Sequence, residues 1–189
     1  MRKLFILLCL AMAYATSAQT AFFVDKKGKK TVMRDDAVEV ILIDKRISYK
    51  QVGKTWEKYI KFDELDHVKW DAYYLKTFRL NGKKKDRLLF VNIESPTKKL
   101  LSIAVEVSST SSTGFTSSST HYEVLVIDNN NVVIDELKFT AGNRYEDERA
   151  MLAPMIQKHF SDCPNVMSKI TSTEAAMEQI NSPEYLTCQ

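Results

Sequence analysis

Short runs of alternating apolar and polar residues, separated by turn residues, constrain the fold of this chain more than any other feature. The clearest run covers residues 101–107, where apolar side chains alternate with smaller or polar ones. That period of two places every second side chain on one face of a β-strand. Residues 122–127 and 132–139 form two further runs around a polar turn, which predicts a hairpin. The dipeptide Asn81-Gly82 marks another turn.

These runs predict an α+β protein with an antiparallel β-meander of seven to nine strands, forming a curved sheet or a small barrel. The period changes in the C-terminal segment, at about residues 144–180. Leu152, Ile156 and Phe160 are spaced four apart and form the apolar stripe of an amphipathic helix. Pro154 should kink this helix. We therefore expect a C-terminal helical segment packed against the sheet.

Aromatic residues are abundant in the middle of the chain. Residues 68–74 alternate as a single strand would, with Trp70 and Tyr74 on an inward face. Tyr73 would then point the other way, so we predict it as an exposed contact residue.

The first eighteen residues have the pattern of a signal peptide. A positively charged start precedes the apolar run 4–15, and the small residues 16–18 precede Gln19. The apolar run is too short to span a bilayer. We therefore predict a signal peptide at residues 1–18 and one mature domain at residues 19–189, located in the periplasm, at the cell surface or outside the cell.

The charge of the predicted mature chain is nearly balanced. The 27 basic residues include Arg2 and Lys3, so 25 basic and 24 acidic residues remain, for a net charge of +1. This balance predicts no nucleic-acid partner and no general attraction to anionic membranes. No second apolar stretch is long enough for a transmembrane segment, and no sequence pattern calls for a cofactor.

Two of the three cysteines remain after removal of the signal peptide. Cys9 lies inside it, whereas Cys163 and Cys188 form an even pair, which predicts a structural disulfide in an oxidising compartment. The bond closes a loop of about 26 residues, for which the chain-entropy model gives roughly 3 kcal/mol of stabilisation.

The most concentrated polar cluster is Asp63, Glu64, Asp66 and His67, with Asp71 four residues further on. Carboxylates and an imidazole are suitable ligands for a divalent ion, but the spacing matches no EF-hand loop. A solvated turn with exposed acids is the interpretation we favour. The sequence also lacks H-E-x-x-H and G-x-S-x-G motifs, so it identifies no catalytic or metal-binding residue.

Lysines cluster at residues 26–30, at 83–85 with Arg87, and at 98–99. Such clusters could bind an acidic glycan or a lipid phosphate. Successive turns of a meander alternate between the two ends of the sheet, however. Counting turns places the lysines of 26–30 and 98–99 at one end with the acidic residues 63–66, and those of 83–85 at the other. We therefore predict separate turn lysines that discourage edge pairing.

Residues 108–120 are Ser or Thr at eleven of thirteen positions; Gly114 and Phe115 are the exceptions. A loop of this length would be unusual in a compact domain. The tract is predicted either as a flexible surface loop or as an extension of the neighbouring strands with Gly114 at its tip. In the functional interpretation it is a contact arm with Phe115 as its apolar anchor.

The leader ending in Ser17-Ala18-Gln19, followed by a lysine-rich β-rich chain with a Cys-bearing helix at its end, resembles small exported β-rich proteins of Bacteroidetes-type bacteria. This resemblance implies a periplasmic or surface location and no activity. The order of elements is also similar to pleckstrin-homology-type and lipocalin-type barrels. The G-x-W signature of lipocalins is absent, because residues 53–56 have a different spacing and come late.

Three functions follow from these patterns. The one favoured is a non-catalytic exported binding module whose partner, a macromolecule or a glycan, is unknown. A barrel that binds a small apolar ligand is the first alternative. The second is a hydrolase or a metal enzyme that uses the cluster at residues 63–71.

Overall fold

The computed structural model describes residues 21–110, 113–114, 116–142 and 146–188. The predicted signal peptide and the predicted contact residue Phe115 lie outside these ranges. The strands are β1 (Phe22–Asp25), β2 (Lys30–Ile41), β3 (Arg46–Gln51), β4 (Glu57–Lys61), β5 (Leu65–Trp70), β6 (Tyr73–Phe78), β7 (Arg87–Glu94), β8 (Lys98–Thr110), β9 (Thr116–Asp128), β10 (Val133–Thr140) and β11 (Leu186–Thr187). The helices are α1 (Glu146–Ala150), α2 (Leu152–Phe160), α3 (Pro164–Met167) and α4 (Thr173–Asn181).

The strands form one open sheet, which confirms the predicted antiparallel class with C-terminal helices against it. Their order is β10-β9-β8-β7-β6-β5-β1-β2-β3-β4, and β11 runs parallel beside the end of β7. The sheet has eleven strands rather than seven to nine, and it does not close into a barrel. β1 also departs from a simple meander, because it lies between β5 and β2.

A bend in β2 carries the first part of the chain over one face of the sheet. Met33 pairs with Gln51, but the next pair is Val38 with Tyr49, so β2 has three more residues than β3 between these pairs. An insertion of this kind bends a strand sharply. The layer β2–β4 therefore covers β1, β5, β6 and β7. The buried side chains between them include Phe23, Met33, Ile47, Ile60, Leu65, Val68, Leu75 and Leu88.

The helices cover the same face of the sheet further along, over β7 to β10. The predicted stripe of Leu152, Ile156 and Phe160 is fully buried against strand residues such as Leu100, Val124 and Val126. The helical segment is interrupted at Met151, just before Pro154. This is where a proline is expected to break a helix, because it cannot donate to the carbonyl four residues earlier.

The opposite sheet face is covered by the β6–β7 connection, residues 79–86. Leu80 is buried among Leu89, Leu101 and Ile127. The connection reaches the β9–β10 turn, where the Asn81 amide donates to the Asn131 carbonyl at 3.0 Å.

The C-terminal tail is tied to the sheet and to α3. Cys163 and Cys188 form the predicted disulfide, with their Cα atoms 5.1 Å apart. The Cys188 amide donates to the Glu94 carbonyl at 2.8 Å, and Asn165 Nδ2 donates to the Thr187 carbonyl at 2.7 Å. Among the helices that the structure describes, none is long and apolar enough to cross a membrane.

The Ser/Thr tract extends β8 and β9 as a two-stranded arm. Pairing continues from Lys98 with Asp128 to Thr110 with Thr116. The two flanking strands do not extend along this arm: β7 pairs with β8 no further than Ser102, and β10 pairs with β9 no further than His121. The flexible-loop interpretation is therefore wrong for the described residues of the tract, and the hairpin interpretation is confirmed for them.

Candidate functional site: a cationic cleft where four connections meet

Four connections between strands meet at one end of the sheet. The Lys26 amide of the β1–β2 turn donates to the Glu64 carbonyl of the β4–β5 turn at 2.8 Å. The Phe62 amide donates to the Lys45 carbonyl of the β2–β3 turn at 2.9 Å. The β6–β7 connection joins them through an ion pair between Asp86 and Lys26. Residues from distant parts of the sequence thus surround one depression.

The depression is a cleft of about 520 Å³, and cationic side chains dominate its walls. Three carboxylates also line it, from Asp44, Asp63 and Asp86, and the buried ring of Phe62 contributes an apolar surface. The cations are Lys26, Lys45, Lys61, Arg79, Lys84 and Lys85. Six cations against three carboxylates give this surface, which we call the cationic cleft, a formal charge of +3.

Asp86 organises one wall of the cationic cleft. Its carboxylate accepts hydrogen bonds from Lys26 and from Arg79 Nε, the latter at 3.1 Å, and its side chain is only 10% exposed. The hydrogen bond from Lys26, and then that from Arg79, hold the pKa of Asp86 below its ordinary value although burial opposes them. Asp86 is therefore ionised at neutral pH and fixes two of the six cations.

The remaining four cations are not neutralised. Lys45, Lys61, Lys84 and Lys85 form no ion pair with any residue in the described part of the chain. Asp44, which could have paired with them, instead contacts Arg46 at 3.0 Å. Uncompensated like charges around a concave surface raise the local potential and attract anions.

The backbone of Lys45 adds a second observation. Its φ is 51°, in the left-handed region that is unfavourable for residues with a side chain. Glycine would adopt this conformation without that cost. The turn therefore keeps a lysine beside the cleft at a position where the backbone alone would favour glycine.

The predicted separation of the lysine clusters is wrong. Lys26 and Lys84 line one cleft together with Asp63, whereas Lys99, at the other end of the sheet, pairs with Glu94. Lys26 and Asp63 lie at one end of the sheet, as predicted, but a turn at residues 71–72 divides the predicted strand 68–74 into β5 and β6. This extra turn moves every later turn of the meander to the opposite end, so residues 83–85 lie with Lys26 and residues 98–99 do not.

Other cleft residues were missed by sequence reasoning. Lys45, Lys61, Arg79 and Asp86 belong to none of the predicted lysine clusters. Lys45 lies in the β2–β3 turn and Lys61 ends β4, whereas Arg79 and Asp86 stand at the two ends of the β6–β7 connection. Nothing in the sequence indicated which turns would meet.

The predicted acidic and histidine cluster is not brought together. Asp63 lines the cationic cleft, Asp66 contacts His67 Nδ1 at 2.7 Å, and Asp71 lies beyond the far end of β5. Within the described ranges, the single group of three metal-ligating side chains is Asp162, Cys163 and Cys188. Its two sulfur atoms are joined in the disulfide.

The predicted strand over residues 68–74 is wrong, because a turn at residues 71–72 divides it into β5 and β6. Trp70 and Tyr73 flank that turn as a cross-strand pair on one face, with ring centroids 5.4 Å apart. Tyr73, the predicted contact residue, is half-buried and also packs on Phe90 at 6.1 Å. Tyr74 points to the other face, where its ring lies 4.8 Å from that of Tyr185.

An apolar depression lies between the β2–β4 layer and the sheet. Val40, Leu42, Leu75, Leu88 and Phe90 line it, and its volume is about 170 Å³. Ligand pockets usually measure about 300–1,000 Å³. The cationic cleft falls in that range and the apolar depression does not, so the cleft is the better candidate for a binding site.

Comparison of the chain with protein-family models, curated proteins and solved structures gives no match.

Proposed function

We propose that the protein is a non-catalytic exported binding module that holds an anionic ligand in the cationic cleft. The observation that carries this proposal is the convergence of six cations from three separate connections and the end of β4, four of them without a carboxylate partner in the described structure. The leader pattern at residues 1–18 supports export, and the disulfide is compatible with an oxidising compartment.

The identity of the cations favours a ligand with several distributed negative charges. Five of the six are lysines, whose ammonium groups are point charges on flexible stems. A single carboxylate or phosphate held in a fixed orientation is more often bound by the planar fork of arginine. A chain of carboxylated or sulfated sugars fits the lysines better, since its charges repeat and need no fixed register.

Binding of dextran sulfate to the purified mature protein tests this proposal. The double variant Lys84→Gln/Lys85→Gln removes two of the unpaired cations and should weaken binding about tenfold at low salt. The matched control is Lys27→Gln/Lys29→Gln, which changes the net charge equally. Lys27 and Lys29 are exposed in the β1–β2 turn and do not line the cleft.

Equal losses in the two double variants would show attraction by overall charge, and the proposed site would be wrong. The affinity of the wild-type protein should also fall with rising salt, because the contacts are ionic and exposed. Binding that is independent of salt would contradict an electrostatic site.

A further inference from the structure

The tip of the β3–β4 hairpin, residues 52–56, exposes two large apolar side chains to solvent. Val52 is 60% exposed, and Trp56, four positions later, is 54% exposed. Single exposed apolar residues are normal on protein surfaces. Two at one projecting turn form a local apolar surface, with Gly53 between them at φ 75°.

Lysines surround this apolar surface. Lys54 Nζ lies 5.0 Å from the ring centroid of Trp56, and Lys58 Nζ donates to Gln51 Oε1 at 3.0 Å. Lys50, the second-last residue of β3, is the third. None of the three forms an ion pair with a residue that the structure describes. Of the nearby acids, Glu57 accepts a hydrogen bond from the Ser48 hydroxyl, and Asp36, which interacts electrostatically with Lys50, is paired with Arg34.

We propose that the hairpin tip is a membrane-contact element that docks on an anionic lipid bilayer. Trp56 and Val52 enter the interfacial region, where an indole ring is favourably placed, and the lysines contact lipid phosphates. Lysine stems lie along apolar surface while their ammonium groups stay in the polar layer. The net charge of the predicted mature chain is small, so the proposed attraction depends on the lysines of the tip and not on the overall charge.

The size of the surface favours a bilayer over a protein partner. A stable protein interface buries about 800 Å² on each partner and involves roughly twenty residues or more. The tip has five residues, and beside it β4 exposes Tyr59 among the charged side chains of Glu57, Lys58 and Lys61. Insertion into a bilayer interface needs only a few apolar side chains with cations nearby.

The tip and the cationic cleft lie at opposite ends of the same hairpin. Arg46 pairs with Lys61 at the cleft end, whereas Lys50 pairs with Glu57 beside the tip. β3, with its six residues, spans about 20 Å. A tip docked on a bilayer would therefore hold the cleft away from the lipid surface, and the two sites can be tested separately.

Sedimentation of the mature protein with vesicles tests the inference. Vesicles of phosphatidylcholine alone and of phosphatidylcholine with phosphatidylglycerol are compared. We expect the protein to sediment with the anionic vesicles and the variant Lys54→Gln/Lys58→Gln to bind them at least about tenfold more weakly. Trp56→Ser should lose most of the binding, because it removes the interfacial anchor.

Tryptophan fluorescence locates the contact. The chain has two tryptophans. Trp70 is half-buried against the core, whereas Trp56 is exposed. A shift of emission to shorter wavelength on addition of anionic vesicles should therefore come from Trp56 and disappear in Trp56→Phe.

The matched control is Ile43→Ser. Ile43 is 94% exposed, more than either tip residue, and lies in the β2–β3 turn beside the cationic cleft. The inference predicts unchanged vesicle binding for this variant and for Lys84→Gln/Lys85→Gln. It is overturned if the wild-type protein does not sediment with anionic vesicles, or if the Ile43 or cleft variant loses binding while the tip variants keep it.

Discussion

The Asp86 carboxylate accepts a hydrogen bond from the Lys26 ammonium group, sixty positions earlier in the chain. The contact joins the β6–β7 connection to the β1–β2 turn and holds one wall of the cationic cleft. Arg79 shares the same carboxylate. One acid thus positions two cations. Its removal should lower the stability of the fold while raising the formal charge of the cleft, so the two effects can be measured separately.

Asp86→Asn should raise the affinity for dextran sulfate and lower the stability of the fold. The substitution leaves Lys26 and Arg79 without their partner and raises the formal charge of the cleft by one. Because both cations are well exposed, the loss in unfolding free energy should be modest, about 1 kcal/mol. Urea unfolding and a binding titration measure the two effects. A variant that binds more weakly would contradict the proposed role of Lys26 and Arg79 in anion binding.

The contribution of Asp86 to stability should depend on pH in one direction. Its folded-state pKa lies below the ordinary value of 3.8, which the unfolded chain is expected to show. The stabilisation is therefore fully present above that ordinary value and is lost as the pH falls through the folded-state pKa. The difference in unfolding free energy between wild type and Asp86→Asn should be constant near neutral pH and shrink in acid. A difference that grows on acidification would contradict the ion pair.

Lys45→Gly should stabilise the fold and weaken anion binding at the same time. Glycine removes the backbone cost of φ 51°, which should add about 0.5–1 kcal/mol to the unfolding free energy. It also removes an unpaired cation of the cleft. Lys45→Gln is the control, since it keeps the backbone cost and removes only the charge. Equal dextran sulfate binding by wild type and Lys45→Gly would show that the lysine has no part in the site.

Removal of the disulfide should lower the unfolding free energy by about 3 kcal/mol. The linked cysteines are 25 positions apart, and Cys188 anchors the tail whose Tyr185 hydroxyl donates to Glu94. The variant Cys163→Ser/Cys188→Ser, compared with wild type in urea, measures this loss. Because the tail lies far along the sheet from the cleft, affinity for dextran sulfate in the folded variant should be unchanged. A loss of affinity would indicate a coupling that the structure does not contain.

Local pattern was sufficient for part of this fold. Alternation predicted the antiparallel strands, four-residue spacing predicted the buried stripe of α2, and cysteine count predicted the disulfide. The turn at Asp71-Ala72 was not predicted, because apolar and polar residues continue to alternate on both sides of it. Asp71 adopts φ 51°, which aspartate tolerates better than most residues, so no glycine or proline marked the break.

The candidate site could not be predicted from local sequence patterns. It exists because β1 pairs with β5, which lies some forty residues further along the chain, and because β2 bends over the sheet. Nonlocal strand pairing depends on how whole surfaces pack, and adjacent residues carry little information about it. The lysines of the cleft were visible in the sequence, but their meeting was not.

The most direct test of the anion-binding cleft is an NMR titration of the ¹⁵N-labelled mature protein with a short dextran sulfate oligomer. We predict that the amide signals that shift will belong to the four connections, at residues 26–29, 42–45, 62–64 and 79–86. The signals of the hairpin tip, at 52–56, should stay in place. Shifts absent from the four connections, or confined to other parts of the chain, would contradict the proposal.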